Sequence, residues 1–562
     1  MLYELYKNFV KENYKLYVLL IIVTLISLPL QKIALGHFYG KILTNLRSGT
    51  SGMKKIKSLF FIVLGIYVLI QIFNMIGSYC NKILWPKLES YVRQHLMDTI
   101  LERYNESYEE MRNGEIQTKM HEFPWFIDTL YNKVQKFLLM NTVIIGSTLI
   151  YLSKYHLSLG IAYIISVILV IGLSIFYVRN CNSVIVEENS IYIKLFEQID
   201  DILNNVLSIF TNNKVKYEEK VSKSINEETV KAQISTNNYF MKFQVLFSII
   251  NVIIYIIMNY VSYALYRDSK INTETFIAVF IINFEMLGDI ITLYNDAKDY
   301  AVIKARMNII NDFFNDLPNE VQDKPNVGLV NTIKEKGGIE IKLRDIHFKH
   351  KNEDNYIYSG LNLTIPANQD VLIMGGIGSG KSTFAKLMIK LHKYEKGTIT
   401  VNDIDIENID SYELRENIVY VPQNPQLFNR TLWENITYGV DNDVSPETIY
   451  KLLDEHNLHD VNKRFHEMMT EEVGKNGSKL SGGQRQIVWL LRAFFKKNNV
   501  LILDEPTSAL DNESKNEVIE LIKLIKKTKT VIVISHDDIF KEILDRVIIF
   551  DKGKIINDKM LY

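Results

Sequence analysis

Nine consecutive residues of the 562-residue chain, Gly375–Thr383, have a composition and spacing that suit the binding of phosphate. They match G-x-x-x-x-G-K-[ST] from Gly375 to Ser382, directly after the apolar run Val371–Met374 and before a helical pattern. Glycines let backbone N–H groups turn onto phosphate oxygens, Lys381 supplies a point charge, and the Ser382 hydroxyl suits Mg²⁺ at a helix N-terminus. The candidate phosphate-binding residues are Gly375, Gly376, Gly378, Ser379, Gly380, Lys381, Ser382 and Thr383.

Two carboxylates follow an apolar stretch further along the chain. Val500–Leu503 has the pattern of a buried strand, and Asp504 and Glu505 come directly after it. An acidic pair at a strand end is ordinarily a solvated surface feature. Beside a bound phosphate, however, Asp504 suits the ligand shell of Mg²⁺, and Glu505 suits polarisation of an attacking water molecule. The pair therefore predicts phosphoanhydride hydrolysis if it lies beside the glycine-rich loop.

Polar groups that such hydrolysis uses occur at three further sites. Gln423 can reach the metal or the water as a neutral ligand, and His536, after the apolar stretch Val531–Ser535, can contact a terminal phosphate. Leu480–Gln484 opens a helical pattern, whose backbone N–H groups and positive dipole end suit phosphate. The candidates in that stretch are Ser481, Gly482, Gly483 and Gln484. A lone histidine or a Ser-Gly-Gly turn is ordinarily structural, but in this order the sites predict one nucleotide-hydrolysing centre.

Apolar runs place these residues on an α/β domain. Buried strands are predicted at Ile339–Leu343, Val371–Met374, Ile418–Val421, Val500–Leu503 and Val531–Ile534, with helical patterns between them. The net charge of −1 and a pI near 6.9 give no basis for nucleic-acid binding. The two cysteines, Cys80 and Cys181, form neither a disulfide framework nor a metal-ligand spacing. We therefore expect no nucleic-acid partner and no redox chemistry.

Long uncharged runs are confined to the first half of the chain, and six of them approach the ~20 residues that cross a bilayer. The predicted spans are Leu16–Phe38, Leu59–Leu84, Phe137–Ser153, Leu157–Val178, Phe243–Tyr266 and Phe276–Tyr294. Two long connections, Trp85–Lys136 and Arg179–Lys242, have helical patterns, so we expect them to extend the spans as hairpins beyond the membrane. A short cross-helix is expected at the first tip, near Gly114–Met120.

Six spans put both termini on one side of the membrane, and the long connections share that side with the α/β domain. We expect that side to be the cytosol, where nucleotide is available. The basic loop Arg47–Lys57 would then lie outside, against the positive-inside tendency, but access to nucleotide outweighs a statistical charge bias. The predicted domains are an α-helical membrane domain over residues 1–314, a polar linker over 315–338, and an α/β P-loop nucleotide-binding domain over 339–562.

These motifs together resemble the ATP-binding cassette of an ABC transporter. The residues that carry the resemblance are Gly375–Ser382, Gln423, Leu480–Gln484, Asp504–Glu505, Ser508–Asp511 and His536. The six-span half with long hairpins is similar to the exporter branch of that family, formerly type I and now type IV. The resemblance covers nearly the whole chain and implies a half-transporter, with ATP and Mg²⁺ as cofactors and a second half-transporter as partner.

The resemblance also implies how two such chains would work together. Two cassettes face each other head to tail, and each ATP is held between Gly375–Ser382 of one chain and Ser481–Gln484 of the other. Asp511 would communicate between the two sites, and Gln423 with Leu427-Phe428 would sense the hairpin tips. The catalytic candidates are Glu505, His536 and Gln423, and the metal-ligating candidates are Ser382, Gln423 and Asp504. None of these positions is degenerate, which favours a homodimer over a heterodimer.

Three positions depart from the family pattern. Asn368 lies where glycine is common before the phosphate-loop strand, which we expect to matter little. The aromatic residue that stacks on adenine in the family falls on His350, whose imidazole can still stack, though less strongly. Tyr356 or Tyr358 could substitute for it. Lys475 replaces a glutamate that ordinarily helps cross-talk to the partner, so coupling there is expected to differ.

Polar residues within spans are costly, so they mark either packing contacts or a substrate pathway. The candidates are Gln31, Lys32, His37, Gln71, Asn74, Asn251, Asn259, Asn283, Glu285 and Asp289. Glu285 and Asp289 lie four residues apart on one helix face, where they could pair with Lys32 or meet a cationic substrate. Both alternatives stay open at the level of the sequence.

Two classes of function fit these residues. The first is an ATP-driven exporter or lipid flippase for an amphipathic lipid, peptide or drug-like molecule. The alternative is a nucleotide-gated channel or regulatory membrane subunit with the same fold; intact Glu505 and His536 favour the pump. In either case we expect a multi-pass protein in contact with membrane lipid, in a plasma membrane rather than an organelle membrane, with its nucleotide-binding domain in the cytosol.

Overall fold

The computed structural model describes residues 2–46, 50–107, 111, 113–134, 139–318, 328–350, 353–441, 443–508 and 510–561. The chain divides into two compact units. Unit 1 comprises Met1–Thr99 and Arg112–Leu317, and unit 2 comprises Ile100–Met111 and Pro318–Tyr562. The short segment Ile100–Met111 therefore belongs to unit 2, although the helices on either side of it belong to unit 1.

Unit 1 is built from helices. They are α1 (Leu2–Glu12), α2 (Tyr14–Pro29), a π-helical turn (Leu30–Ala34), α3 (Leu35–Leu46), α4 (Thr50–Arg103), α5 (Asn113–Val134), α6 (Asn141–Tyr155), α7 (Leu157–Asn204), α8 (Val206–Thr211), α9 (Val215–Arg267) and α10 (Thr273–Asp316). Five stretches within the described residues are long and apolar enough to cross a membrane: Tyr14–Leu46, Lys54–Arg103, Leu157–Cys181, Val215–Arg267 and Thr273–Lys304. The predicted span Phe137–Ser153 corresponds to α6, which has 15 residues, while residues 135–138 lie outside the described ranges.

The long connections between spans are helical, as expected. Helix α4 continues to Arg103, and α7 and α9 continue the fourth and fifth spans. The predicted cross-helix near Gly114–Met120 is wrong, because this stretch lies within α5 and the turn at the first tip falls at residues 104–106. Phe123, Phe126 and Ile127 give α5 a buried apolar face, which favours one continuous helix.

The charged residues of the spans pair with one another. Lys32 lies in the π-helical turn that follows Pro29, and its Nζ is 2.7 Å from Asp289 Oδ1 and 3.3 Å from Glu285 Oε2. Both carboxylates are on α10, one helical turn apart. The interhelical pairing that the sequence allowed is therefore present, with one carboxylate in excess. Contact of this pair with a cationic substrate stays a prediction.

Other polar candidates of the spans serve packing. Asn283 Nδ2 donates to Asn259 Oδ1 over 3.3 Å, and Asn251 Nδ2 donates to the Leu287 carbonyl over 2.9 Å. His37 Nδ1 lies 3.1 Å from the Tyr151 hydroxyl. Gln31, Gln71 and Asn74 lie on exposed helix faces. Buried amides that join neighbouring helices are the usual way in which a membrane domain satisfies polar groups.

Unit 2 contains two β-sheets flanked by helices. The strands are β1 (Ile341–Phe348), β2 (Tyr358–Ile365), β3 (Val371–Gly375), β4 (Lys396–Val401), β5 (Ile404–Asp405), β6 (Ile418–Val421), β7 (Val500–Asp504), β8 (Thr530–Ile534), β9 (Arg546–Asp551) and β10 (Lys554–Met560). The helices are α11 (Leu329–Lys336), α12 (Lys381–Met388), α13 (Ser411–Asn417), α14 (Leu432–Ile436), α15 (Pro446–Glu455), α16 (His459–Met468), α17 (Gly482–Phe495) and α18 (Asn512–Ile525). The five predicted strands are all present.

The first sheet is antiparallel, in the order β2-β1-β4-β5, and the second has the order β10-β9-β3-β8-β7-β6. Neighbours from β9 to β6 pair in parallel. Residues of β7 and β8 are buried throughout, as expected for a parallel sheet covered on both faces. Helix α11 lies inside the predicted linker, and its Leu329 and Ile333 join the core of unit 2. The predicted domain boundaries themselves stay a prediction.

The ion pair between Lys32 and the two carboxylates of α10 leads to a prediction about stability. Lys32→Met leaves Glu285 and Asp289 without their cation, and we expect the free energy of unfolding to fall by about 1–3 kcal/mol. Breaking a fully buried ion pair would cost more than this. The cost here is lower because these side chains are partly exposed. Thermal unfolding of the chain in nanodiscs measures the effect. Glu285→Gln is the matched control, since it keeps the shorter contact of Lys32 with Asp289 and should cost less. Equal melting temperatures for Lys32→Met and the unaltered chain would contradict the prediction.

Candidate nucleotide site

Four strand ends meet at one edge of the larger sheet. Strands β3, β8, β7 and β6 are neighbours and run parallel, so their carboxyl ends lie at the same edge. The glycine-rich loop follows β3, His536 follows β8, and Asp504 with Glu505 ends β7. Gln423 follows β6 by two residues. The topology therefore brings the sequence-predicted hydrolysis residues to one side of the sheet.

The loop between β3 and α12 has the backbone geometry that its glycines permit. Gly375 has φ 151°, and a Cβ there would lie 2.2 Å from the Phe550 carbonyl oxygen. Gly380 has φ 102°, and a Cβ there would lie 2.8 Å from the Tyr358 ring. Lys381, the first residue of α12, donates from Nζ to the carbonyls of Gly375 and Gly376, both over 2.9 Å. The lysine is therefore held over the loop, where phosphate oxygens can replace the carbonyls as acceptors.

Tyr358 packs against the buried side of this loop. It is fully buried at the start of β2, and its hydroxyl donates to the Gly380 carbonyl. Burial raises the pKa of the Tyr358 phenol, so it remains a neutral donor. The proposal from sequence that Tyr358 could stack on adenine is therefore wrong, because a ring packed under the loop cannot face a base. No local pattern indicates this contact, since the two residues are 22 positions apart.

The Asp504 carboxylate is buried, and only one of its two oxygens has a hydrogen-bond partner among the described residues. It is 4% exposed, and its Oδ2 accepts from the Tyr420 hydroxyl over 3.0 Å. Its Oδ1 has no hydrogen-bond partner among the described residues. An oxygen of this kind fits a divalent cation, which prefers carboxylate ligands. No group of three or more His, Cys, Asp or Glu side chains within the described ranges could hold a metal alone, so a cation here would also need nucleotide oxygens.

Glu505 and His536 are in contact. Glu505 Oε2 lies 3.0 Å from His536 Nδ1, with the carboxylate largely buried and the imidazole exposed. Glu505 has φ 48°, a left-handed conformation that is uncommon for a residue with a side chain. Its N–H donates to the Ile534 carbonyl over 2.8 Å, which ties it to the end of β8. The strained backbone thus aims the carboxylate along the sheet edge towards the imidazole.

Gln423 is held from two sides. Its side-chain Nε2 donates to Ser508 Oγ over 3.4 Å, and its backbone carbonyl accepts from Gln486 Nε2 over 3.0 Å. Trp489 Nε1 donates to the Gln426 carbonyl over 3.0 Å, also from α17. The loop after β6 is therefore tied to α17, the helix that Leu480–Gln484 begins.

The start of α17 is closed by its own side chains. Ser481 Oγ accepts from the Gln484 N–H over 3.2 Å, and Gln484 Oε1 accepts from the Ser481 N–H over 2.8 Å. This capping box leaves the N–H groups of Gly482 and Gly483 at the helix end without an intrahelical partner. These two N–H groups and the helix dipole can bind an anion from outside the helix.

Asp511 lies beside this helix start. It caps α18, where its Oδ1 accepts from the Ser514 N–H over 2.8 Å, and this bond lowers the pKa of the Asp511 carboxyl. Gly483 packs against Ser514, so closely that a Cβ at Gly483 would lie 2.6 Å from the Ser514 side chain. The structure thus brings Asp511 next to the Leu480–Gln484 stretch.

Comparisons with known proteins agree with these observations. The profile of the ABC transporter transmembrane region matches residues 15–287, and the ABC transporter profile matches residues 358–508. The chain belongs to the ABC transporter family. With a membrane region and an ATP-binding cassette in one chain, this ABC transporter is an ATP-hydrolysing, multi-pass membrane protein of the exporter type.

Relatives and solved structures extend the match along the chain. An export ATP-binding/permease protein of Rickettsia typhi is 25% identical over 97% of this chain and 93% of its own length. The ATP-dependent lipid A-core flippase of Saccharophagus degradans is 35% identical over 42% of this chain and 40% of its own length. A bacterial Atm1-family ABC exporter solved with ATP bound superposes with a TM-score of 0.80 at 20% identity, covering 98% of this chain and 95% of that one.

His350 lies where the cassette's first sheet ends. Its ring contacts Phe348 and His392, with centroid distances of 5.2 and 5.4 Å. Tyr356, the other alternative for adenine stacking, donates its hydroxyl to Glu395 Oε2 over 2.6 Å. The sequence reasoning missed His392, because nothing in its local pattern indicates the contact.

The first hairpin tip of this ABC transporter contacts the cassette fold within unit 2. Glu106 Oε1 lies 3.1 Å from Lys390 Nζ and accepts from the Ser411 hydroxyl. Arg415 donates to the Asn105 carbonyl over 2.7 Å. Sequence reasoning missed these contacts, which join residues about 280–310 positions apart in the chain. The expected sensing of the tips by Gln423 with Leu427-Phe428 stays a prediction.

The hydrogen bond from Tyr358 to the phosphate loop leads to a prediction about ATP binding. Tyr358→Phe removes the donor to the Gly380 carbonyl, and we expect ATP affinity to fall about two- to tenfold, the range that follows from losing one hydrogen bond. Equilibrium binding of ATP to the purified chain measures it. Tyr356→Phe, which removes an exposed phenol hydroxyl, is the control and should leave affinity within error. Indistinguishable affinities for all three proteins would show that the bond does not position the loop.

Proposed function

We propose that two copies of this chain form an ATP-driven exporter or flippase, which moves an amphipathic substrate across its membrane by alternating access. One observation carries the proposal above the others. Four parallel strand ends converge on the phosphate loop, and there Glu505 and His536 lie 3.0 Å apart. A carboxylate and an imidazole in contact beside a phosphate cradle suit hydrolysis of a terminal phosphate better than nucleotide sensing alone.

The phosphates would lie on the loop Gly375–Thr383. Its N–H groups surround the phosphate oxygens, and Lys381 exchanges its two carbonyl acceptors for β- and γ-phosphate oxygens. Ser382, Gln423 and Asp504 would hold Mg²⁺, and the unpartnered Asp504 Oδ1 supports this assignment. The bound cation would neutralise charge that develops on the phosphate oxygens.

Hydrolysis would use the two residues in contact. Glu505 orients the attacking water and draws its proton towards the carboxylate oxygen, while His536 donates towards the γ-phosphate. The 3.0 Å separation of Glu505 Oε2 and His536 Nδ1 places the carboxylate beside the imidazole before substrate arrives, so less ordering is needed in the transition state. Gln423, held by Ser508 and α17, orients the water from the other side.

The second chain would complete each site. Because the capping box occupies the Ser481 and Gln484 side chains, the N–H groups of Gly482 and Gly483 at the helix start can receive the γ-phosphate bound to the partner's loop. Asp511, adjacent to them through Ser514, could then report the occupancy of one site to the other. ATP would favour closed cassettes, and hydrolysis would release them; only this difference in nucleotide affinity between the two states can drive transport.

The substrate and membrane follow from weaker observations. Relatives named as export proteins and as a lipid flippase support an amphipathic cargo, such as a lipid, a peptide or a drug-like molecule. The organisms of these relatives support a bacterial plasma membrane, with the nucleotide-binding domain in the cytosol. The alternative of a gated channel or regulatory subunit is disfavoured by the Glu505 and His536 contact, which gating does not require.

Turnover by the chain alone tests the proposal. We expect ATPase activity in lipid nanodiscs that falls at least about 100-fold in Glu505→Gln while ATP binding persists, because removal of a general base costs about 10²–10⁴ in rate. Glu520→Gln, an exposed glutamate of the same unit paired with Lys523, is the control and should leave turnover unchanged. A panel of lipids, peptides and amphipathic cations identifies the class that stimulates turnover. Well-folded dimers without turnover would instead support the gating alternative or a missing partner chain.

Mixed dimers test whether each site is shared between two chains. Lys381→Ala disables the phosphate loop, and Gly482→Asp places a carboxylate at the helix end, where a Cβ meets nothing closer than 3.7 Å. Each variant alone should be inactive, because both of its sites contain one altered half. A dimer of the two variants, purified through two different tags, keeps one intact site and should recover a measurable share of turnover. A mixed dimer as inactive as its parents would place the whole site within one chain.

A further inference from the structure

Three rings form a cluster at the end of β1, outside the residues that the phosphate chemistry uses. Phe348, the last residue of β1, is buried, and its ring lies 5.2 Å from that of His350 and 5.0 Å from that of His392. The two imidazole centroids are 5.4 Å apart. Each ring therefore contacts the other two, and Phe348 forms the buried base of the cluster.

His392 reaches the cluster from the phosphate-binding helix. Helix α12 starts at Lys381 and has eight residues, which is about 12 Å. The turn that follows is closed by hydrogen bonds from the Lys390 N–H to the Leu387 carbonyl and from the Leu391 N–H to the Lys386 carbonyl. His392 is the next residue. His392 therefore enters the cluster from the turn that directly follows the phosphate-binding helix.

The geometry restrains the His350 ring. Its plane makes angles of 81° with Phe348 and 73° with His392, both of the edge-to-face kind that aromatic pairs prefer. Two such contacts limit rotation about the side-chain bonds of a residue that lies outside the strand ladder. His350 is half-buried, so part of its ring remains accessible.

A small ring needs this restraint more than a large one does. Imidazole offers less π surface to a purine than phenol or indole does, so more of its stacking energy is lost if the ring must first be ordered. Tyr356, the neighbouring phenol, is already engaged with Glu395 and has its ring against His347. His350, in contrast, is half-buried and contacts two aromatic neighbours, Phe348 and His392.

We propose that His392 is a positioning residue for the nucleotide base, which holds the His350 ring in the orientation that stacks on adenine. The inference rests on the proposed nucleotide site, where His350 is the residue that contacts adenine. His392 then affects the part of the binding free energy that depends on the base, and it leaves the phosphate contacts unchanged.

Competition binding of ATP and of inorganic tripolyphosphate to the full chain in nanodiscs separates two parts of the binding free energy. One part depends on the base, and the other depends on the phosphates. We expect His392→Ala to weaken ATP about two- to tenfold, the range for loss of one ring contact, with tripolyphosphate affinity unchanged. His392→Phe restores a ring and should restore ATP affinity. His459→Ala, an exposed histidine of the same unit, is the matched control and should change neither ligand.

Coupling between the two histidines gives a second readout. His350→Ala should weaken ATP at least as much as His392→Ala, and the double variant should be no weaker than His350→Ala alone, because His392 acts through His350. His392→Leu, which fills the space without a ring, should behave like His392→Ala and serves where the alanine variant fails to fold.

Three outcomes would overturn the inference. They are equal weakening of ATP and tripolyphosphate in His392→Ala, unchanged ATP affinity in that variant, and additive effects of the two histidine substitutions. Failure of the nucleotide site itself gives a different result. Lys381→Ala should abolish binding of both ligands, and if it does not, the phosphate loop is not where ATP binds.

Discussion

Parallel, in-register pairing of four strands is the constraint on which the rest of the site depends. Val500 lies opposite Thr530 on one side and Ile418 on the other, and the register continues without a bulge to the strand ends. Because side chains alternate along a strand, a slip of one residue would turn Asp504 away from Tyr420 and move Glu505 away from His536. The strands are buried on both faces, so a slip would also bury polar residues in the core. The apolar core therefore fixes the geometry of the candidate site, although its residues have no proposed chemical role.

A strained backbone and an unsatisfied polar atom occur side by side at this edge. Glu505 has a left-handed backbone, and Asp504 carries a buried oxygen without a partner among the described residues. Each feature costs on the order of 1–3 kcal/mol. The surrounding sheet can offset these costs, since β7 and β8 are buried throughout and consist mainly of apolar residues. A site that is strained before nucleotide arrives can release part of that strain when phosphate and metal complete its hydrogen bonds and charges.

Sequence reasoning succeeded where chemistry is encoded by local spacing. The glycine-rich loop, the acidic strand end and the helix start at Leu480–Gln484 each combine a motif with its flanking elements in one short stretch. It failed where a role depends on a contact between residues far apart in the chain. No local sequence pattern indicates the contacts of Tyr358 with Gly380, of His392 with His350, or of Glu106 with Lys390. The misplaced hairpin tip has a related cause, since the short cross-helix was expected at Gly114–Met120, while a buried face further along α5 favours one continuous helix.

The contacts of Glu106 show how the phosphate-binding helix is held at both ends. Lys381 begins α12 over the loop, and Lys390, two residues beyond its end, is only 5% exposed and meets the Glu106 carboxylate. A buried ammonium needs such a partner, because removal of one member of a buried pair leaves an uncompensated charge. Arg415 reinforces the contact by binding the Ile389 and Lys390 carbonyls together with the Asn105 carbonyl. Residues 100–111 are covalently continuous with α4 and lead into α5. A movement of α12 must therefore break these charged contacts or carry this segment with it.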